Sequence, residues 1–108
     1  MSNLINMTPH AVNILREDGD IELTPCGVVP RVETEEVWET NRILFGVPVK
    51  KIIYKDVYDL PEPEFGTILI VSQLCCQACP DRDDLVFPAD LKRDEAGRIV
   101  GCAAFGTV

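Results

Sequence analysis

Long apolar runs are absent from this chain. No stretch approaches eighteen consecutive apolar residues, so the sequence predicts no membrane-spanning helix. The first ten residues, MSNLINMTPH, have neither the basic start nor the apolar run of a secretory signal. Five cysteines, an odd number, agree with a reducing compartment in which they remain thiols. Together these features predict a cytoplasmic protein.

Local signatures of catalysis are also missing. Gly27, Gly46 and Gly66 are isolated, so there is no glycine-rich loop to bind phosphate. The sequence VSQL lacks the flanking glycines of a nucleophile elbow. His10 with a cysteine, or Ser72 with Asp84, could form a catalytic pair, but neither has a recognisable surrounding motif. Enzymatic activity is therefore not favoured, and no catalytic residue is predicted.

Positive charge is scarce. Ten Lys and Arg residues against eighteen Asp and Glu residues give a net charge of −8. Such a surface repels phosphate backbones and anionic membranes, so neither nucleic acid nor a membrane is an expected partner. The acids are dispersed, which favours an ordinary solvated surface. An acidic decoy for a basic nucleic-acid-binding groove is the alternative interpretation.

Three of the five cysteines form a cluster, Cys75, Cys76 and Cys79, whose last two members have Cys-x-x-Cys spacing. A structural zinc site needs four ligands, and the other candidates, two distant cysteines and one histidine, are isolated. A redox thiolate is stabilised at a helix N-terminus, whereas this cluster lies towards the end of a predicted helix. The favoured interpretation is that these thiols fill a core. We therefore predict no metal and no cofactor.

The pattern along the chain is of short extended runs punctuated by Gly and Pro. All 108 residues, 1–108, are predicted to form one domain. The expected fold is mainly β: a small antiparallel barrel-like or sandwich sheet of six to seven strands with one short helix. The predicted elements are a hairpin over 11–25 turning at Asp18-Gly19, an irregular or bulged strand over 28–41, a strand over 47–58, a connector over 60–66, a buried central strand over 67–74, a helix over 72–79, a strand over 85–88 and a closing hairpin over 91–105.

Four side chains are candidates for ligand binding. His10 follows a proline and precedes a strand, so a structural role in a loop is favoured over a site. Arg82 is predicted to pair with its acidic neighbours, with anion binding as the alternative. Arg93 and Arg98 lie near the C-terminal loops, and their guanidinium groups suit a small anionic ligand that carries phosphate.

Three segments have a recognisable character: NLINMTPHAVNIL (3–15), LPEPEFGTILIVSQL (60–74) and DLVFPADLKRDEAGRIVGCAAF (84–105). They contain a T-P-H-x-V-N-I start and an R-D-x-x-G-R-I-x-G-C end. In these segments the chain resembles a family of small phage and prophage proteins of unknown function. The resemblance implies a phage-associated protein in the cytoplasm of a bacterial host, and implies no activity. Relatives usually have aliphatic or small residues at the cysteine cluster, which favours packing.

Three kinds of function remain open. The first is a non-catalytic binding or assembly module that forms a homo-oligomer, because small sheets with exposed edges commonly pair to cover them. The second is an antagonist of host defence, either an acidic decoy that occupies a host protein or a sponge for a nucleotide signal. The third is a metal- or thiol-dependent protein that uses the cysteine cluster. The first is preferred.

Overall fold

The computed structural model describes residues 3–108, which form eight strands and one short helix. Six strands make one sheet in the order β1-β6-β7-β8-β2-β3, and β4 and β5 make a separate two-stranded ribbon. The elements are β1 (Asn3–Asn6), β2 (Val12–Ile14), β3 (Ile21–Leu23), β4 (Arg31–Leu44), β5 (Val47–Tyr58), β6 (Thr67–Ile70), α1 (Gln73–Ala78), β7 (Leu85–Arg93) and β8 (Ile99–Gly106). The predicted class, mainly β with a barrel-like sheet and one short helix, is confirmed.

Strand direction within the six-stranded sheet is mixed. β2 with β3 and β7 with β8 are antiparallel, as expected for hairpins, and Gly19 and Gly97 have the positive φ that their turns require. β1 with β6, β6 with β7 and β2 with β8 are parallel, which differs from the antiparallel sheet we expected. The segment between β6 and β7 contains α1, and a helical crossover returns the chain in the same direction.

The sheet nearly closes, and Asn6 connects the ends of its two edge strands. The Asn6 amide donates to the carbonyl oxygens of His10 at 2.8 Å and Leu23 at 2.9 Å. Asn6 Oδ1 accepts from the backbone N–H of Thr8 at 2.9 Å and from its hydroxyl at 2.6 Å. Cys26 N also donates to Asn6 O at 2.9 Å. With its side chain only 2% exposed, Asn6 uses both donors and both lone pairs inside the protein.

Two apolar clusters lie on either side of β6. Leu69 and Val71 belong to the cluster with Met7, whereas the intervening Ile70 packs with Val12 in the other cluster. Successive strand residues point to opposite faces, so β6 is buried on both. The apolar run predicted as a buried central strand over 67–74 is buried as expected, but the strand is shorter, Thr67–Ile70, and lies second in the sheet, next to the edge strand β1.

Two predicted boundaries can be compared directly. The helix predicted over 72–79 is observed as Gln73–Ala78, and the Ser72 hydroxyl caps it by accepting from Cys75 N at 3.2 Å. The separate strands predicted at 85–88 and from residue 91 are one strand, β7. Asp90, at φ +48°, lets that strand continue past an irregular position because Asp tolerates left-handed backbone. The strand over 28–41 was predicted to be irregular, and β4 has two register shifts.

Asn6→Ala tests the closure. We expect a loss of about 2–3 kcal/mol in the free energy of unfolding, because the Leu23 carbonyl group loses its side-chain donor and Thr8 N loses its acceptor. Asn13→Ala is the control: its amide donates at the surface to Val100 O at 3.2 Å, so it should change stability by less than about 0.5 kcal/mol. Urea unfolding measures both. Equal effects of the two substitutions would contradict this account of Asn6.

Candidate functional site

The ribbon of β4 and β5 is an arm that projects from the six-stranded sheet. The molecule measures 53 × 39 × 21 Å, and its radius of gyration is 16.9 Å. A compact chain of 100 residues has a radius of gyration of about 13 Å. Within residues 3–108, β4 and β5 pair with each other and with no other strand. We call this element, Arg31–Tyr58, the hairpin arm.

The base of the hairpin arm is attached to the main core. Val32 and Val57 are register partners, both half-buried, and both pack against the cluster that contains Met7 and Cys76. Farther out, the Tyr54 hydroxyl donates to Gln77 Oε1 on α1 at 3.2 Å. The arm is therefore held at its root and extends beyond these contacts.

The middle part of the arm, residues 34–38 of β4 and 50–54 of β5, is called the shaft and has two faces. Register partners lie on the same face, and successive pairs alternate between the two faces. One, the tryptophan face, presents Trp38 and Ile52 along with Lys50. Lys50 Nζ lies 2.8 Å from Glu36 Oε2 and 4.8 Å from the centre of the Trp38 ring. The opposite face, the valine face, consists of Glu35, Val37, Lys51 and Ile53.

Large apolar side chains along the arm are open to solvent. Trp38 is 56% exposed and Ile52 54%. At the tip, Phe45 is fully exposed and its neighbours Ile43 and Val47 are more than half exposed. Contiguous exposed apolar surface of this kind marks interaction sites in soluble proteins.

The tip is a two-residue turn with an unfavourable residue in it. Phe45 has φ +51° and Gly46 φ +79°, the arrangement of a type I′ hairpin turn. Asn, Asp or Gly is preferred at the first position, and an ordinary side chain there costs about 1–2 kcal/mol. A phenylalanine at this position is not explained by turn formation. No site was predicted at this tip, although the run ILFGV (43–47) between two predicted strands is a local signal for it.

The four predicted ligand-binding residues do not form a common site. His10 is exposed and lines a cleft of about 340 Å³ together with Leu91 and Ile99, and none of the three arginines lines that cleft. The structural contribution seen for His10 is through its carbonyl oxygen, which accepts from Asn6 and Thr8.

The arginines are engaged in local contacts. Arg82 binds both carboxylate oxygens of Asp84, at 2.8 and 2.7 Å, and the Pro61 carbonyl at 2.9 Å. Arg93 donates to Gly97 O at 2.9 Å within the β7–β8 turn, and Arg98 is exposed in the same turn. Asp84 is only 7% exposed, and the hydrogen bonds from Arg82 lower the pKa of its carboxyl group. Arg82 therefore pairs with an acidic neighbour, as the sequence analysis favoured.

The cysteines divide into packed and exposed thiols. Cys75 and Cys76 are buried in the main core, and Cys79 packs beside them, which confirms the packing interpretation of the cluster. Burial raises the pKa of Cys75 to about 11, so its thiol remains protonated near neutral pH. Cys26, unlike the clustered thiols, is exposed. Over the described range 3–108, no three His, Cys, Asp or Glu side chains are placed to hold a metal ion.

Comparison of the chain with models of protein families, with curated proteins and with solved structures finds no match. Among residues 3–108 the structure contains no helix of the length and apolarity that a membrane crossing requires.

The Arg82–Asp84 pair makes stability depend on pH. Because the folded-state pKa of Asp84 is lowered, its stabilisation is complete above the ordinary carboxyl value and is lost as pH falls below about 4. Asp84→Asn should remove this part of the acid dependence, whereas Arg82→Ala should cost about 2–4 kcal/mol at pH 7 by leaving a buried carboxylate unpaired.

Denaturant unfolding between pH 3 and pH 7 measures these effects. Asp83→Asn, at the exposed neighbouring acid, is the control and should change stability at pH 7 by less than about 0.5 kcal/mol. If Asp84→Asn leaves the acid dependence as steep as in the wild type, the assigned role of the pair is wrong.

Thiol labelling tests the cysteine assignment. With excess N-ethylmaleimide near neutral pH, we expect Cys26 to react first, the half-buried Cys79 more slowly, and Cys75, Cys76 and Cys102 only after unfolding. Intact-mass spectrometry counts the adducts over time, and Cys26→Ser should remove the fast phase. Rapid labelling of Cys75 or Cys76 in the folded protein would contradict their burial.

Proposed function

We propose that the protein is a non-catalytic assembly module that forms a homo-oligomer, with the hairpin arm as the part that binds other copies. In keeping with the resemblance of its sequence, we place it among phage- or prophage-encoded proteins that work in the cytoplasm of a bacterial host. The observation that carries the proposal is the arm itself, a long ribbon whose apolar side chains beyond its base are left exposed by the rest of residues 3–108.

An isolated two-stranded ribbon is at best marginally stable in water. Within residues 3–108, the hairpin arm has no second layer beyond its contacts with α1 and the core. A partner that covers it supplies the missing burial at about 25 cal/mol for each Å² of apolar surface. The tip also requires a partner that covers it, since Phe45 is fully exposed and has an unfavourable backbone conformation.

The side-chain contacts in the structure give less support to a nucleotide sponge and to thiol chemistry. A nucleotide sponge needs convergent cations, whereas Arg82 is bound to Asp84 and Pro61 and lies outside the turn that holds Arg93 and Arg98. Thiol chemistry needs an accessible thiolate, whereas burial raises the pKa values of Cys75 and Cys76. Self-association uses a surface that is present and uncovered.

Two fully exposed phenylalanines provide a matched test of the arm. Phe45 is 106% exposed at the tip, and Phe65 is 108% exposed in the turn before β6. Phe45→Asp should weaken self-association at least ~10-fold, because burying a phenylalanine contributes about 1.5–3 kcal/mol. Asp also tolerates the left-handed backbone, so the turn should still form.

Light scattering coupled to size exclusion, over a range of protein concentrations, measures the dissociation constant. Phe65→Asp should leave it within about 2-fold of the wild-type value, a difference of about 0.4 kcal/mol. Equal weakening by both substitutions would show that the arm has no special part in assembly. A wild-type protein that remains monomeric at high concentration would overturn the proposed function.

A further inference from the structure

We infer that the copies join head to tail, with the outer edge of β5 in one copy paired with the outer edge of β4 in the next. This inference rests on the proposed function and specifies the partner surface, which is a second copy of this chain. It is carried by the free edges of the hairpin arm and by the separation of charge between its two strands.

Both outer edges of the arm are available for pairing. In residues 3–108, the backbone hydrogen bonds of β4 and β5 join these strands to each other and to no other strand. At about 3.3 Å per residue, the twelve residues of β5 present an unpaired edge roughly 40 Å long. Exposed edges of this length with apolar side chains are templates for another strand.

Charge is segregated between the two strands. Glu33, Glu35, Glu36 and Glu39 are the charged residues from 33 to 39, whereas Lys50, Lys51 and Lys55 are those from 49 to 55. Over the whole strands, β4 has two arginines and four glutamates, 2 − 4 = −2, and β5 has three lysines and one aspartate, 3 − 1 = +2. The register places the two charged segments side by side.

This separation selects one way of joining two arms. Pairing β4 with a second β4 would place glutamates beside glutamates, and pairing β5 with a second β5 would place lysines beside lysines. Like charges opposite each other destabilise a sheet, and opposite charges stabilise it by about 0.2–1 kcal/mol for each pair. Only β5 next to β4 of another copy gives opposite charges at every strand boundary.

Head-to-tail pairing also determines the form of the assembly. If β5 and the neighbouring β4 are antiparallel, all arms point in the same direction, and repetition of the contact about an axis closes a ring. The arms then form a barrel in which no outer edge is left unpaired. One face of each arm, the tryptophan face or the valine face, turns into the barrel and is shielded from water.

A charge-reversed arm distinguishes head-to-tail pairing from two-fold pairing, in which β4 pairs with a second β4 or β5 with a second β5. The reversed variant replaces the four glutamates at 33, 35, 36 and 39 with Lys and the three lysines at 50, 51 and 55 with Glu, which changes the net charge from −8 to −8 + 8 − 6 = −6. The Glu36–Lys50 and Glu35–Lys55 pairs keep opposite charges with the signs exchanged. The hairpin of each single copy keeps these two attractions, and it loses the Glu39–Arg42 pair and the contact of Lys50 with the Trp38 ring.

Tagged wild type and untagged reversed variant are co-expressed. Native mass spectrometry of the purified oligomers then shows which of the two proteins occur together. We expect each protein alone to form oligomers of the same size, and the mixture to contain less than about one tenth of the mixed species that random assembly produces. That depletion corresponds to about 1.4 kcal/mol against mixed contacts. Tagged and untagged wild type, co-expressed in the same way, are the control and should mix randomly.

Two-fold pairing predicts the opposite, because β4 of the wild type would attract β4 of the reversed variant. Preferential or random mixing of the two proteins would overturn the head-to-tail inference and leave the proposed function standing. A wild-type protein that is monomeric would overturn both.

A second measurement needs no variant and decides the question if the reversed protein does not fold. A carbodiimide joins a carboxylate to a lysine amine in direct contact, with loss of water. When unlabelled and ¹⁵N-labelled wild-type chains assemble together, cross-linked peptides that carry both labels must come from different copies. Mixed-label links between Glu33–Glu39 and Lys50–Lys55 are expected, and their absence from a cross-linked oligomer would overturn the inference.

Discussion

A ribbon of two strands is a single layer and cannot cover either of its own faces. The six-stranded sheet of this protein avoids that problem by curling until its edges meet near Asn6, so its apolar residues pack against one another. The hairpin arm has no such solution beyond its root, where Val32 and Val57 reach the core. In the proposed assembly, its outer part is covered by surface that another copy supplies.

The charges of the arm and its apolar side chains contribute differently to an interface. The Glu36–Lys50 and Glu35–Lys55 pairs are exposed to solvent, and such pairs contribute roughly 0.2–1 kcal/mol. Lysines on an edge strand also discourage indiscriminate pairing. Apolar side chains such as Trp38 and Ile52 provide the larger gain when covered. In the proposed assembly, charge therefore chooses which edges meet, and apolar burial determines how tightly they hold.

Those elements that depend on local signals could be predicted from the sequence. Asp18-Gly19 indicated the β2–β3 hairpin, the run from Val47 to Tyr58 was recognised as a strand, and the proline after the cysteine cluster indicated where α1 ends. Parallel pairing of β1 with β6 depends on residues more than sixty positions apart, for example Leu4 and Ile68, so no local pattern could reveal it.

The separation of the arm from the main sheet was not predictable either. Strand patterns show that β4 and β5 are extended, but they do not show which strands pair with the rest. Among the candidate residues, Arg82 was assigned its acidic partner correctly because Asp84 is only two positions away. The structural contribution of His10 lies in its carbonyl group, which residue type does not reveal.

In the proposed assembly, the tip with Phe45 belongs to the same interface as the outer part of the arm. Holding a phenylalanine in left-handed backbone costs about 1–2 kcal/mol relative to a residue suited to the turn, and full exposure to water returns none of it. Covering the ring contributes about 1.5–3 kcal/mol, which more than offsets that cost. The free chain therefore bears a penalty that covering the ring in the proposed oligomer would offset. In a ring of parallel arms the tips lie together at one end of the barrel, so the same head-to-tail contact that pairs the edges also brings neighbouring phenylalanines within reach of one another.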